Sequence, residues 1–350
     1  MILLISLCVL FLIVLVFWIQ FYPHQIMPIG EVIEIKTPEK KYHNDCLHPC
    51  IRYYETPFAG YHYWFVQTPW YLYNDKIENP ILYKTNDLAD FGDGVVVCDS
   101  HKCGYNSDPV IFKDGNKMYV FWREYQTPLC NDLGCQKATV GVYTLDGVTF
   151  SNKVVYLKDN NNDSDTEQCP ILIKRNTKEG ERYFFYAVWY QYNPDTCNKG
   201  IAIWEGTSLE SPDFQLKKLI PFNSVYTCDK FKQKKIGKYL WFIPKPLKFD
   251  LWHFDLLEYD DGLLMVSSSN MGENIMFSQS EDYLNFHTKR TPLINAHFCE
   301  KHEMPRQNLY KPSAFIKDDT FYLYYTSTPW SMLEGYNKLR LSKIPINKLI

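Results

Sequence analysis

An all-β fold is predicted by three observations on the sequence. Short apolar and aromatic runs recur in pairs, and turn signals such as Asp114-Gly115 join the two members of a pair. The pairs repeat at intervals near 60 residues, since the first three units begin at Pro49, Pro109 and Pro170. A weaker pair of strands follows each unit. Because four antiparallel strands repeated radially make one propeller blade, the sequence predicts a five-bladed β-propeller.

The second unit shows the pattern most clearly. Residues 104–124 read GYNSDPVIFKDGNKMYVFWRE. A strand is predicted over 110–112, with Asp108 at the point where it begins. The Asp-Gly turn then leads into an aromatic-rich strand over 118–122, which completes a hairpin.

The other four units repeat this order of head, turn and returning strand. Their predicted strands are 50–53 with 61–65, 171–173 with 182–187, 252–257 with 263–266, and 311–316 with 321–325. The weaker outer pairs include 138–143 with 154–157 and 200–204 with 215–219. The five units place the propeller over residues 43–350.

An apolar segment precedes the propeller. Residues 1–21 carry no charged side chain, and their length is sufficient to span a hydrocarbon core of about 30 Å as a helix. They predict an N-terminal transmembrane helix that acts as a signal anchor, followed by a linker over 22–42. A cleaved signal peptide is the alternative, although the usual basic start and small-residue cleavage site are missing. The lysines at 36, 40 and 41 run against the positive-inside rule for an exported domain.

The cysteines favour an oxidising compartment. One of the 11 lies in the apolar segment, which leaves ten for the exported part. An even number behind an export signal predicts disulfide bonds, and the spacings do not match the usual zinc motifs. The close pairs are Cys46/Cys50, Cys98/Cys103 and Cys130/Cys135. We therefore expect a single-pass membrane protein with its propeller on the extracytoplasmic (periplasmic, lumenal or extracellular) side.

Composition limits the partners. The net charge is -3 and no basic stripe is present, so a nucleic-acid partner is not expected. The polar loop 158–167 spaces its acidic residues as a calcium loop does but lacks the glycine of its sharp turn, which favours a plain solvated loop. No metal site and no cofactor are therefore predicted.

The candidate site lies at the heads of the units. In a propeller the innermost strands surround one channel, so residues at the heads converge although they are far apart in sequence. The heads supply His48, Asp108, Glu167, His253 and Lys311. Carboxyl and imidazole groups that share one funnel can acquire separated pKa values and perform acid and base chemistry.

Further candidates flank these heads. Glu78 follows an aromatic run that includes Trp70, and Arg123-Glu124 ends a strand where a guanidinium could bind a carboxylate or phosphate. Asp255 lies two positions after His253, so both side chains are predicted on one strand face, where the carboxylate could orient the imidazole. The competing interpretations are structural: a turn cap for Glu78, an ion pair between blades for Arg123 and a core histidine for His253.

The heads of the second and third units resemble those of the five-bladed glycoside hydrolases of families 43 and 32. The resemblance rests on Asp108-Pro109 and on Glu167 shortly before Pro170, within a blade pattern over residues 43–345. It implies that Asp108 modulates the pKa of the general acid, Glu167. The first unit has His48 where the family pattern has an aspartate, and Glu167 is one residue further from its proline than is usual.

Two classes of function remain open at this stage. The resemblance implies a membrane-anchored enzyme that acts on glycosidic bonds of an oligo- or polysaccharide. Glu167 would protonate the leaving oxygen, Asp108 would tune that acid, and Glu78 or His48 would act on the water or serve as nucleophile. The alternative is a propeller that binds glycan or assists its assembly without cleaving it, because a catalytic aspartate is missing. A protein-interaction propeller is a third, more remote interpretation.

Overall fold

A computed structural model describes Phe11 and residues 25–127, 137–158, 168–192, 197–221, 251–269, 272, 274–289, 291–296, 307–329 and 337–350. The described chain is almost entirely β-structure, arranged in five sheets. Four short 3-10 turns interrupt it, at Lys40–Tyr42, Tyr71–Tyr73, Asp75–Ile77 and Ile346–Lys348.

The strands of each sheet pair antiparallel, in chain order except for Glu31–Ile33 and Ile294–Asn295, and we call the sheets blades I to V. The chain begins with β1 (Glu31–Ile33). Blade I contains β2 (Cys50–Phe58), β3 (Tyr61–Gln67), β4 (Ile81–Thr85) and β5 (Val95–Val96). Blade II contains β6 (Gly104–Asp114), β7 (Lys117–Gln126), β8 (Lys137–Thr144) and β9 (Val154–Lys158). Blade III contains β10 (Gln168–Thr177), β11 (Gly180–Tyr192), β12 (Cys197–Gly206) and β13 (Gln215–Pro221).

Blades IV and V complete the set. Blade IV contains β14 (Leu251–Tyr259), β15 (Gly262–Ser269), β16 (Asn274–Ser280), β17 (His287–Thr288) and β18 (Ile294–Asn295). Blade V contains β19 (Gln307–Lys317), β20 (Thr320–Pro329) and β21 (Lys338–Pro345), with β1 as its fourth strand.

The blades close into a ring. The first strands β2, β6, β10, β14 and β19 contact one another in cyclic order, and β19 returns to β2. The ring is also closed by hydrogen bonds, because β1 pairs antiparallel with β21 and joins the two ends of the chain in blade V. This is the arrangement of a five-bladed propeller. Residues 31–33, predicted as part of a linker, therefore belong to a blade.

Large aromatic side chains fill the space between blades. Trp64, Trp122 and Phe185 are fully buried. Phe121 of blade II meets Phe185 of blade III edge to face, with ring centroids 5.2 Å apart. Such pairs add about 0.5–1.5 kcal/mol to the gain from burying their area. The many aromatic side chains of the protein thus pack neighbouring blades together.

The turn signals in the sequence act as predicted. Gly115 has a φ of 56°, and the two-residue turns Asp260-Asp261 and Asp318-Asp319 have φ between 45° and 60°. Two-residue hairpin loops need this left-handed geometry because it matches the twist of the strands, and aspartate tolerates it better than most residues. One detail differs from the prediction, since Asp108 lies inside β6 and not at its start.

The structure tests two of the close cysteine pairs, for which the sequence left the connectivity open. Cys46, Cys50 and Cys98 are free thiols, so neither Cys46/Cys50 nor Cys98/Cys103 is a disulfide bond, although Cys103 is disulfide-bonded. Cys50 packs in the core shared by blades I to IV, whereas Cys46 packs in a separate cluster between blades I and V. The two side chains therefore pack in different parts of the core. The pair Cys130/Cys135 lies outside the described residues.

Most of the predicted membrane anchor also lies outside the described residues, as does the loop over 159–167. Within the part of the chain that the structure describes, no helix has the length and apolar character needed to cross a membrane.

Candidate active site

Irregular backbone directs side chains into the channel. β6, β10, β14 and β19 each carry a register shift in the inner half of the strand, at Ser107/Val110, Gln168/Ile171, Leu251/His253 and Tyr310/Ser313. Asp108 and Lys311 lie inside two of these bulges with φ of 54° and 29°. A non-glycine residue held there stores about 1–3 kcal/mol of strain. Bulges re-aim side chains near functional sites, and here they bring Asp108, His253 and Lys311 to one level of the channel.

Asp108 is the centre of the cluster and is fully buried. Its Oδ1 faces two imidazoles, at 3.2 Å from His253 Nε2 and 3.7 Å from His48 Nε2. Its Oδ2 lies 3.4 Å from Arg123 Nη2 and 3.3 Å from the Ser107 hydroxyl, which donates to it. The carboxylate thus presents one oxygen to the imidazoles and the other to hydrogen-bond donors.

The first imidazole is held by blade I. His48 Nδ1 lies 2.7 Å from Thr68 Oγ1 and 3.3 Å from Glu78 Oε1. Both partners are buried. An imidazole whose Nδ1 is held by oxygen atoms has a fixed ring orientation, and its Nε2 is then presented to Asp108.

The second imidazole is held differently. His253 Nε2 faces Asp108, while its buried Nδ1 has no hydrogen-bond partner among the described residues. The ring packs against Tyr310, with centroids 4.4 Å apart, and Tyr310 also packs edge to face on Trp252 at 4.5 Å. Within the described chain, His253 is therefore positioned by aromatic packing.

Burial and neighbouring charges separate the ionisation states of the site. Burial lowers the pKa of His253, and it lowers the pKa of His48 well below the usual value, so both rings are neutral at pH 7. Burial raises the pKa of Glu78 well above the carboxylate range. Burial alone would also raise the pKa of Asp108, but His48, Arg123 and the hydrogen bond from His253 outweigh it and hold that pKa well below its usual range.

Two cations border the same dipeptide. The Arg123 Nε donates to the Ser107 hydroxyl at 2.9 Å, beside Asp108. The buried ammonium of Lys311 donates to the carbonyl oxygen of Pro109 at 2.8 Å. Both side chains therefore lie against Asp108-Pro109 from different blades.

Asp255 has a different environment from the one predicted. It does not orient His253, because its carboxylate forms a bidentate ion pair with Arg52 at 2.7 and 2.6 Å. The Ser313 hydroxyl and the backbone nitrogens of Leu256 and Ala314 also donate to it. The carboxylate that His253 meets is Asp108, which belongs to another blade.

Three other candidates lie apart from Asp108. Glu124 points to the opposite face of β7, where Lys153 Nζ lies 2.6 Å from its carboxylate. The Trp70 indole nitrogen donates to Asp75 at 2.7 Å in the loop before Glu78. Glu167 lies outside the described residues, so its predicted role as general acid stays a prediction.

The sequence did not single out Thr68 or Tyr310. Thr68 follows the end of β3, and Tyr310 directly precedes Lys311, where it contacts both imidazole rings. Their position in the chain could have identified them, because each lies where an inner hairpin ends at the channel.

The cluster has the donor set of a metal site. His48, Asp108 and His253 each offer one ligand atom, and these atoms lie within 4.8 Å of one another. Zinc bound to imidazole at about 2.0–2.1 Å brings its ligand atoms to comparable separations. Metal ions bind neutral imidazole and ionised carboxylate, which are the states favoured here. The residues present therefore fit a divalent ion, although no metal site was predicted from the sequence.

Known structures share the fold. The chain is similar to an N-acetylgalactosamine deacetylase from F. plautii solved with blood group B trisaccharide (TM-score 0.63, 13% identity, 93% of this chain and 95% of that one). It is similar to a thermostable family-43 glycoside hydrolase (TM-score 0.55, 12% identity, 85% and 89% covered). A third is the Bombyx mori GH32 β-fructofuranosidase BmSUC1 (TM-score 0.54, 11% identity, 91% and 63% covered).

These likenesses confirm the predicted resemblance at the level of the fold. The chain is a β-propeller with the architecture of the glycoside hydrolases of families 43 and 32. No protein-family model matches the sequence, and no curated protein matches it either.

Proposed function

We propose that this protein is a carbohydrate-active hydrolase that uses a divalent metal ion held by His48, Asp108 and His253 to remove an acyl group from a sugar. One observation carries the proposal. Three ligand atoms from blades I, II and IV converge within 4.8 Å, and burial keeps both imidazoles in the neutral form that binds metals. The fold shared with a sugar deacetylase supports the choice of reaction.

The roles follow from the contacts. Thr68 orients His48, and Arg123 with Ser107 fixes the second oxygen of Asp108. A bound divalent ion would supply Lewis-acid chemistry, which polarises a carbonyl group and lowers the pKa of water. Burial raises the pKa of Glu78, and its carboxyl group lies beside His48, so Glu78 is placed to exchange a proton at this site.

The reaction is a hydrolysis. Water adds to the acyl carbon, the bond from that carbon to the sugar nitrogen or oxygen breaks, and a carboxylic acid leaves. Glu78 accepts a proton from the water and returns it to the nitrogen or oxygen that remains on the sugar. No other reactant is needed, so atoms and charge balance.

The test combines metal analysis with product analysis. We expect the purified protein to bind about one Zn²⁺ or Mn²⁺ per chain and to release acetate from N-acetylated or O-acetylated glycans. Chelation should abolish the activity, and His253→Gln should lose both metal and activity. The exposed His287 provides a control, because His287→Gln should retain both. A chain that binds no divalent ion in titration calorimetry would contradict the proposal.

Glycosidic cleavage is the second candidate, and it has its own supporting observation. The pKa of Glu78 is raised while that of Asp108 is lowered, which is the separation that a general acid and a general base require. Release of shorter saccharides in the presence of a chelator, with loss in Glu78→Gln, would favour this mechanism. Binding of glycan without any product would favour the non-catalytic alternative.

We also infer that residues 1–21 anchor the propeller on the extracytoplasmic side of a membrane. Their predominantly apolar composition, without a charged side chain, supports this. Cell fractionation and protease treatment of intact cells test it. The protein should remain with membranes after a carbonate wash, and protease should digest the propeller from outside.

A further inference from the structure

The cations at the centre of the channel differ in their partners. Arg52 forms a bidentate pair with Asp255, and Arg123 faces Asp108 at 3.4 Å. Among the residues described, Lys311 has no carboxylate within ion-pair distance, and its ammonium contacts only the carbonyl oxygen of Pro109. Within the described part of the channel, the Lys311 ammonium therefore has no counter-ion.

A charge without a counter-ion is costly in a buried site. Lys311 is only 1% exposed, so water does not compensate for its charge. A buried charge is normally paired, because removing it from water without a partner costs several kcal/mol. An anion bound beside Lys311 would therefore stabilise the site.

Arg123 connects the channel to a more exposed surface. Its guanidinium lies 5.8 Å from the Tyr105 ring centroid, and Tyr105 stacks on Tyr125 with centroids 5.0 Å apart and planes at 23°. All three side chains are mostly buried but keep some exposure, which for Arg123 is 12%. In the register of blade II, Tyr105 is opposite Tyr125 and Ser107 is opposite Arg123, so these four side chains share one face.

Part of the guanidinium is available. Nε donates to Ser107 and Nη2 lies against Asp108, while Nη1 makes no hydrogen bond within the described chain. A guanidinium presents its donors in a fork that matches carboxylate, sulfate and phosphate oxygens. The remaining donors of Arg123 and Lys311 are therefore suited to one anionic group.

We propose that the channel recognises an acidic saccharide, whose carboxylate, sulfate or phosphate group binds Arg123 and Lys311 while a sugar ring packs on Tyr105 and Tyr125. The proposal rests on the proposed function only in taking a saccharide as the ligand. Binding of the anion does not require the hydrolytic step. Arg123 then has a second role beyond holding Asp108 in place.

The test measures binding, so it remains informative if no hydrolysis is found. A glycan array should carry matched sets on the same backbones: neutral, uronic-acid, sulfated and phosphorylated. Binding is measured to the apo and to the metal-loaded protein. We expect at least one acidic form to bind at least tenfold more tightly than its neutral counterpart, and the bound class identifies the anion.

Variants distinguish recognition of the anion by Arg123 from the role of Arg123 in positioning Asp108. Arg123→Met should reduce binding of the acidic glycan to the level of the neutral one, and Arg123→Lys should retain part of the preference. Lys153→Met is the matched control, because Lys153 pairs with Glu124 on the other face of the same blade. It should leave the preference unchanged.

Three results would overturn the proposal. The first is that no acidic glycan binds, and the second is that neutral forms bind equally well. The third is that Arg123→Met weakens acidic and neutral glycans by the same factor while metal affinity falls, which would limit Arg123 to positioning Asp108. Loss of metal binding or of acetate release alone would instead count against the proposed reaction.

Discussion

Asp108 and Asp255 are both buried aspartates on inner strands, and both lie beside an arginine, yet their surroundings differ. Asp255 accepts five hydrogen bonds, two from Arg52 and one each from Ser313, Leu256 and Ala314, at 2.6–3.1 Å. The polar contacts of Asp108 with His48, His253, Arg123 and Ser107 are longer, at 3.2–3.7 Å. Asp108 also has a strained φ of 54°, whereas the φ of Asp255 is not positive.

The difference separates a structural carboxylate from one suited to a ligand. Around Asp255 each donor already has its acceptor, and the pair ties blades I, IV and V together at the centre of the ring. Around Asp108 the contacts with its described neighbours are longer, and within the described chain His253 Nδ1 has no hydrogen-bond partner and Lys311 faces no carboxylate. Backbone strain persists at functional sites because the surrounding structure supports it.

The largest effect is expected on stability when Asp255 is removed. Asp255→Ala leaves Arg52 buried without its partner, and breaking a buried ion pair costs about 3–5 kcal/mol. Chemical denaturation at pH 7 measures this as a lower free energy of unfolding. Glu210→Gln removes an exposed partner of Lys117 and should change little. A loss in Asp255→Ala no larger than that of the control would mean that the pair does not hold the blades.

At Asp108 we expect a larger effect on metal affinity than on stability. Asp108→Asn keeps the shape of the side chain and tolerates the left-handed backbone, but it removes the charge that a metal ion requires. Zn²⁺ affinity should fall by at least about 100-fold, beyond the range seen when a supporting residue is lost. The loss of unfolding free energy should be smaller than that of Asp255→Ala. Titration calorimetry and denaturation of the same samples check both parts, and unchanged Zn²⁺ affinity would remove Asp108 from the site.

Part of the candidate site could be predicted from the sequence. Turn residues and strand periodicity predict the inner hairpins. A propeller places the first strands of all its blades around one channel, so His48, Asp108 and His253 are expected to meet there. More than 200 residues of sequence separate His48 from His253. Periodicity could not show which aspartate His253 would meet. The predicted partner Asp255 is two residues away on the same strand, but the bulge at Leu251/His253 shifts the register there.

The features that the sequence could not predict depend on contacts between residues far apart in the chain. Arg52 meets Asp255 across 203 positions of the chain, a contact that no local pattern encodes. Thr68 was missed because its function depends on His48 Nδ1, which lies 20 positions earlier. Asp108 was predicted at a strand start, where a flanking proline usually places a residue, but pairing of Ser107 with Arg123 extends β6 beyond it.

A smaller effect should follow from removing the residue that orients the first imidazole. Thr68→Val keeps the volume of the side chain but deletes the hydroxyl 2.7 Å from His48 Nδ1. Loss of such a partner typically lowers metal affinity by about 10–100-fold. Thr139 is a buried threonine of blade II and a matched control. Thr139→Val should leave Zn²⁺ affinity unchanged, and equal affinities in both variants would contradict the assigned orientation.

The smallest effect concerns the pH dependence of stability in the metal-free protein. Burial lowers the pKa of His48 and of His253 in the folded state, so the unfolded chain takes up protons first as the pH falls below about 6.5. Each imidazole then reduces the free energy of unfolding by at most about 1.4 kcal/mol per pH unit. Glu78 has a raised pKa and contributes a pH dependence of opposite sign, so the comparison must be made between variants.

Denaturation between pH 5 and 7 measures how the free energy of unfolding changes with pH. This change should be smaller for the double variant His48→Gln, His253→Gln than for the wild type, whereas His287→Gln should retain the wild-type slope. Equal slopes in the wild type and the double variant would mean that the two rings are not held neutral by burial.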